Sequence, residues 1–137
     1  MTQADKELLL KDLCARLYTC NCIHGTALTV ALDDEQPLES NQWLISNYDC
    51  YKDKFIVSNI VYALDVERIV DIDNIRPYLF PLSSMTEEQE EEYNTMYEEN
   101  RYSWRENIID WFHKNQFDYR GLIGRGLAID ATELNIY

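Results

Sequence analysis

Two prolines, in the stretch Arg76-Pro77-Tyr78-Leu79-Phe80-Pro81, decide how this chain can be divided. Proline has no backbone N–H, holds φ at about −65° and pushes the residue before it toward extended backbone. RPYLFP therefore cannot continue a helix and is expected to lie extended. The pattern before it is mostly of short strands, and the pattern after it is helical. A chain of 137 residues with one such change, no internal repeat and no linker reads as one domain over 1–137. About 1–82 form a helix plus a β-rich part, and about 83–137 form a helical acidic part with an irregular tail.

At the N-terminus, Leu9, Leu10, Leu13, Cys14 and Leu17 recur at three-to-four spacing and predict an amphipathic helix over about 4–17. Glu7 with Lys11 and Asp12 with Arg16 are i,i+4 pairs assigned to its opposite side. YTCNCI (18–23) and ALTVALD (27–33) alternate or are β-branched, and His24-Gly25-Thr26 reads as a hairpin turn between them. After a polar loop over 33–41, QWLIS, KFIVSNIVYAL and VERIVDI are further candidate strands, the first two separated by the polar stretch NYDCYKDK. Short strands joined by turns suggest a small antiparallel sheet or an SH3-like curved barrel.

Beyond the prolines, Ser84 with Glu87, Thr86 with Gln89 and Ser103 with Glu106 each match the capping box. In that motif a hydroxyl and a carboxylate or amide satisfy the free N–H groups of a first helical turn. The helix after Ser103 carries Trp104, Ile108, Trp111, Phe112 and Asn115 on one face, with His113 and Lys114 near its negative C-terminal end. The expected fold is α+β: an N-terminal helix, the small sheet or barrel, and two C-terminal helices packed on it.

The formal net charge is −13. Such a chain repels phosphate backbones and anionic lipid and favours basic partners, so direct nucleic-acid binding is disfavoured. No apolar run is long enough for a signal peptide or a membrane span. Cys14, Cys20, Cys22 and Cys50 then read as reduced thiols, and a cytoplasmic location is expected. No cofactor is expected, and the oligomeric state is not readable.

Cys20, Cys22 and His24 would share one face of a strand and form the one candidate metal cluster. Paired Cys-x-x-Cys knuckles are missing, so a core-facing stripe is the preferred reading. Gly121-Leu-Ile-Gly124-Arg-Gly126 beside Arg120 has the look of a phosphate loop but lacks the Gly-Lys-Ser/Thr ending and the strand-to-helix setting. It is read instead as a turn that lets Leu122, Ile123, Leu127 and Ile129 reach the core. With two histidines and no nucleophile elbow, catalytic groupings are poor, and an enzyme is not expected.

Between Thr86 and Glu99 stand seven glutamates and no basic residue. Helix capping accounts for the first of them, but Glu90 to Glu92, Glu98 and Glu99 go beyond it. Tyr93, Met96 and Tyr97 are spaced as a buried stripe. Aromatics among carboxylates also suit a basic partner through hydrogen bonds and cation–π contacts. The candidate partner-binding residues are Glu87, Glu88, Glu90, Glu91, Glu92, Tyr97, Glu98, Glu99 and Tyr102.

Three segments, KELLLKDLCARL, IRPYLFPLSSMTEEQ and FDYRGLIGRGLAIDA, resemble a family of short uncharacterised proteins encoded in Bacteroidetes genomes, commonly on phages or other mobile elements. Two departures are Tyr18-Thr19-Cys20, where a Pro-Tyr-Gly-Val-like stretch is usual, and Phe80, where a basic residue is frequent. The resemblance implies one small β-rich domain with C-terminal helices and carries no catalytic residues. The function expected is a non-enzymatic, mobile-element protein that binds and inhibits a basic partner such as a nucleic-acid-binding defence nuclease, with nucleic-acid mimicry as its sharper form. The alternatives are a small-molecule or nucleotide-binding module using the barrel with Arg120 and Arg125, and a small hydrolase-type enzyme.

Overall fold

The computed structural model describes residues 1–19, 27–30, 43–59, 66–99 and 104–134. Helix α1 spans Gln3–Thr19. It starts at a reciprocal cap: the Asp5 N–H donates to Thr2 Oγ1 (3.1 Å) and the Thr2 N–H to Asp5 Oδ2 (3.2 Å). The helix continues through Tyr18 and Thr19, where a strand was expected to begin. The rest of that strand, the Gly25 turn and the 33–41 loop lie outside the described residues.

Strands β1 (Ala27–Val30), β2 (Trp43–Asp49), β3 (Lys54–Asn59), β4 (Val66–Val70), β5 (Ile75–Leu79) and β6 (Ile129–Asp130) form a sheet in the order β4-β3-β2-β1-β5-β6. All neighbours are antiparallel except β5 and β6, which are parallel. Among the described residues β4 and β6 stand at the ends of this strand order, and the expected α+β arrangement of an N-terminal helix, a small mostly antiparallel sheet and two C-terminal helices is the one found. RPYLFP is extended as expected, with Pro77 inside β5 opposite Leu28. The polar Asn47, Tyr48 and Asp49 belong to β2 rather than to a connection. A register shift between Ile45 and Asn47 lets the strand run on to the Cys50–Asp53 turn.

Helix α2 spans Glu87–Glu99 and α3 spans Trp104–Lys114. Of the overlapping capping boxes, the second forms: the Thr86 N–H donates to Gln89 Oε1 (2.9 Å) and the Gln89 N–H to Thr86 Oγ1 (3.2 Å). Ser84 instead donates its hydroxyl to Pro81 O at 2.7 Å, inside a short 3₁₀ turn. Ser103 and its box lie outside the described residues.

The main core joins α1 to the inner face of the sheet and to the tail, through Leu9, Leu13, Trp43, Phe55, Val57, Ile75, Leu79, Leu122 and Leu127. Each fully buried leucine of this set contributes roughly 1.5–3 kcal/mol through apolar burial. A satellite cluster of Ile108, Trp111 and Phe117 takes in Phe80, Met85, Tyr93 and Met96, and fastens α2 and α3 to the end of β5. Two features return the chain from α3 to α1. Gln116 adopts a left-handed φ of 58°, and Phe117 bridges to Phe80. The segment after Phe117 then turns through Gly121 and Gly126, both at positive φ, which a residue without Cβ adopts without strain. As expected of a turn, it places Leu122 and Leu127 in the core. No helix among the described residues is long and apolar enough to cross a membrane.

Candidate functional site

Two arrangements concentrate charge in this fold: the outer face of α2 and a buried cluster where α1, α3 and the tail meet. In α2 no residue is fully buried. At 3.6 residues per turn, Gln89, Tyr93 and Met96 fall on one side. All three are half-buried, and Tyr93 and Met96 pack against α3 and Met85. Glu92 flanks this side and accepts a hydrogen bond from Trp111 Nε1–H at 2.9 Å. It is therefore tied into the fold, unlike the other glutamates.

The opposite side is different. Glu87, Glu91 and Glu98 share one outward line, with Glu90 and Tyr97 on one shoulder and Glu88 and Glu99 on the other. All are exposed, Tyr97 at 59%. Tyr97 thus leaves the buried stripe that its spacing suggested, while Tyr93 and Met96 keep to it. The ion pairs among the described residues are made by aspartates alone, and none uses an α2 glutamate. Glu87, Glu88 and Glu90 lie in the first turn, where the helix dipole favours them. Glu98 and Glu99 lie at the end where it opposes them, with no basic residue in the last turn. Tyr102 lies outside the described residues.

The buried cluster was not foreseen. Asp12 is fully buried and Arg16 is 2% exposed, which corrects their assignment to the solvent side of α1. Positions 9, 12, 13 and 16 share one helical face, so Asp12 and Arg16 enter the core together with Leu9 and Leu13. Arg16 Nε donates to Asp12 Oδ2 at 2.8 Å, and Arg16 Nη2 donates to Asp12 Oδ1 at 3.3 Å and to Phe117 O at 2.7 Å. Arg120 Nε stands 3.2 Å from Asp12 Oδ1, an ion-pair distance without hydrogen-bond alignment. Both guanidinium groups lie over the Tyr119 ring, Arg120 at 4.9 Å and Arg16 at 5.7 Å from its centroid.

His113 Nε2 is 2.7 Å from the Tyr119 hydroxyl and is fully buried. Burial first, then the charge of Arg16, with a smaller contribution from Arg120, pulls its pKa down to about 4 against the opposing influence of Asp110. The ring is therefore neutral near pH 7. It does not act as the cation expected at the negative end of α3. Burial also raises the Tyr119 pKa.

The glycine turn has no free cradle for a phosphate. The Asp118 carboxylate already accepts from the N–H groups of Leu122 (2.8 Å) and Ile123 (2.9 Å). Arg125 pairs with Asp5 at 3.3 Å across the chain. The thiol of Cys14 is half-buried and its pKa is raised by that burial, which disfavours the nucleophilic thiolate. Among the described residues no group of three or more histidine, cysteine or acidic side chains could hold a metal ion. Cys20, Cys22 and His24 lie outside them. Comparison with known protein families, with curated proteins and with solved structures finds no match to this chain.

Proposed function

We propose that this protein is a non-enzymatic interaction protein that docks on a basic protein surface through the outer face of α2. The observation that carries this reading is the outward face itself: six exposed glutamates with no ion-pair partner among the described residues, two of them set against the helix dipole. A helix needs no such charge for its own stability. Carboxylates at its C-terminal end cost about 0.3–1 kcal/mol each, and an arriving lysine or arginine would relieve that cost. Tyr97, at the same end, offers a large amphipathic contact of the kind enriched at interfaces.

The sharper form of the reading is mimicry of a nucleic-acid backbone. Glu87, Glu91 and Glu98 extend along about 16 Å of helix axis, at about 1.5 Å per residue, and present fixed negative charge where phosphates would lie. Together with the resemblance to mobile-element proteins, this makes a nucleic-acid-binding defence nuclease the partner class of choice. Attraction between such surfaces speeds association and is screened by salt.

Pull-down from a host lysate at low and high salt is the test, with Glu87→Lys/Glu91→Lys/Glu98→Lys as the comparison. A basic protein should be captured at low salt, released at high salt, and ignored by the triple variant. Capture that survives the triple reversal would remove α2 from the interface. The mimicry form further requires that nucleic acid and this protein compete for the captured partner.

A further inference from the structure

We infer, on the docking reading of α2, that its last turn selects arginine over lysine on the partner surface, with Tyr97 making the choice. Tyr97 is the one large apolar side chain of α2 that stands mostly in water, at 59% exposure. The helix has an apolar side, and Tyr93 and Met96 use it to pack against the α3 cluster. Tyr97 follows Tyr93 by four residues yet stands outward, on the shoulder that also holds Glu90.

Charge around this ring is of one sign. The last turn of α2 holds Glu98 and Glu99 and no basic residue, and the helix dipole adds its negative end there. Glu92 is engaged by Trp111, whereas Glu90, Glu98 and Glu99 make no ion pair among the described residues. The face of an aromatic ring is itself electron-rich. Carboxylates alone attract either cation, so it is the ring that tells the two apart. A guanidinium is planar and weakly hydrated. It lies flat on a tyrosine ring while its N–H groups reach a carboxylate in its own plane. An ammonium is a compact, strongly hydrated point charge and gives up more water for the same contact. Glu98 is next to Tyr97 in the chain, and Glu90 lies about 10 Å back along the helix axis on the same shoulder. Both are exposed and available to such an arginine. Arginine is also the residue that recognises phosphate through paired N–H groups, so a phosphodiester-binding site is a surface that presents it.

Two probe peptides of equal charge, octa-arginine and octa-lysine, test this by calorimetric titration of the full chain at low salt. Wild type should bind octa-arginine roughly two- to fivefold more tightly than octa-lysine, the range expected of one exposed cation–π contact. Tyr97→Leu should bring the two affinities together by weakening octa-arginine alone, and Tyr97→Phe should keep them apart. Tyr51, 98% exposed on the β2–β3 turn, supplies the control for arginine's general attraction to tyrosine. Tyr51→Leu should leave the preference unchanged. Equal affinities in wild type, or a preference that survives Tyr97→Leu, would overturn the inference and leave the docking reading standing. The Glu87→Lys/Glu91→Lys/Glu98→Lys variant tests that reading itself and should bind both peptides weakly. If wild type binds neither peptide, or the triple reversal weakens neither, α2 is not the docking surface and the selectivity falls with it.

Discussion

Asp12 carries the heaviest electrostatic duty among the described residues, pairing with Arg16 in the core and with the half-buried Arg120 at its edge. Removing one member of a buried ion pair leaves the others charged and unpaired, at a cost of about 3–5 kcal/mol. Asp12→Asn should therefore lower the urea midpoint sharply. Asp73→Asn, which breaks the exposed pair with Lys6, should cost at most about 1 kcal/mol. Equal effects of the two substitutions would show that the cluster is solvated. His113 gives a pH-dependent counterpart. Its pKa falls from 6.5 when unfolded to about 4 when folded, so the native state prefers the neutral ring. The resulting stability is complete above about pH 6.5 and is lost as pH falls toward about 4, by up to about 3 kcal/mol. Wild type should thus lose stability over this window more steeply than His113→Gln, as urea midpoints at successive pH values would show. Parallel slopes would mean that the ring is hydrated in the native state. The burial of Asp12 and Arg16 was legible in principle, because they share a helical face with Leu9 and Leu13. Pairing them by charge at i,i+4 hid that placement, since an exposed pair and a buried pair have the same spacing.

Among the elements, α2 is the clearest case of sequence chemistry acting locally. Thr86 and Gln89 close the capping box, while Ser84 is spent on the turn before it. Thr86→Ala should therefore cost about 1 kcal/mol in urea unfolding, and Ser84→Ala clearly less. The opposite end of α2 should behave in the opposite way. Glu98→Gln/Glu99→Gln removes two carboxylates from the negative end of the dipole and should stabilise the free protein by about 0.3–1 kcal/mol per residue. The same change should weaken capture of the proposed basic partner, so stability and binding move apart; a variant that loses stability would show that these glutamates serve the fold. Caps, prolines and apolar spacing made the helices and most strand positions readable from the sequence. The start of the strand expected at Tyr18 and Thr19 was misread because β-branched and aromatic residues also complete helices whose packing is tertiary. The far half of β2 was missed for a related reason. Asn47 is exposed near the hairpin end, where strand residues need not be apolar.

At the scale of the whole molecule, what the sequence concealed was the return of the tail. The two-residue β6 pairs in parallel with Tyr78 and Leu79, and Phe117 bridges Phe80. Contacts this distant along the chain leave no local period, yet they bring Tyr119 and Arg120 to Asp12. The net charge, by contrast, is fully legible and has a consequence of its own. Self-repulsion in a chain of charge −13 destabilises the compact state, and salt relieves it as the Debye length falls from about 10 Å at 0.1 M to about 3 Å at 1 M. Raising salt should therefore increase the Tm of the free protein, while it should dissociate the proposed complex with a basic partner. The Glu87→Lys/Glu91→Lys/Glu98→Lys variant separates the two effects. Each reversal adds two charges, so three take −13 to −7, and the rise of Tm with salt should become shallower. Because Asp12 and Arg16 are shielded from the solvent, their contribution should be common to both proteins and cancel in the comparison. A salt slope of Tm that is identical in wild type and variant would place the destabilising charge elsewhere than α2. The claim that this helix is held in readiness for a cationic surface would then lose its energetic basis.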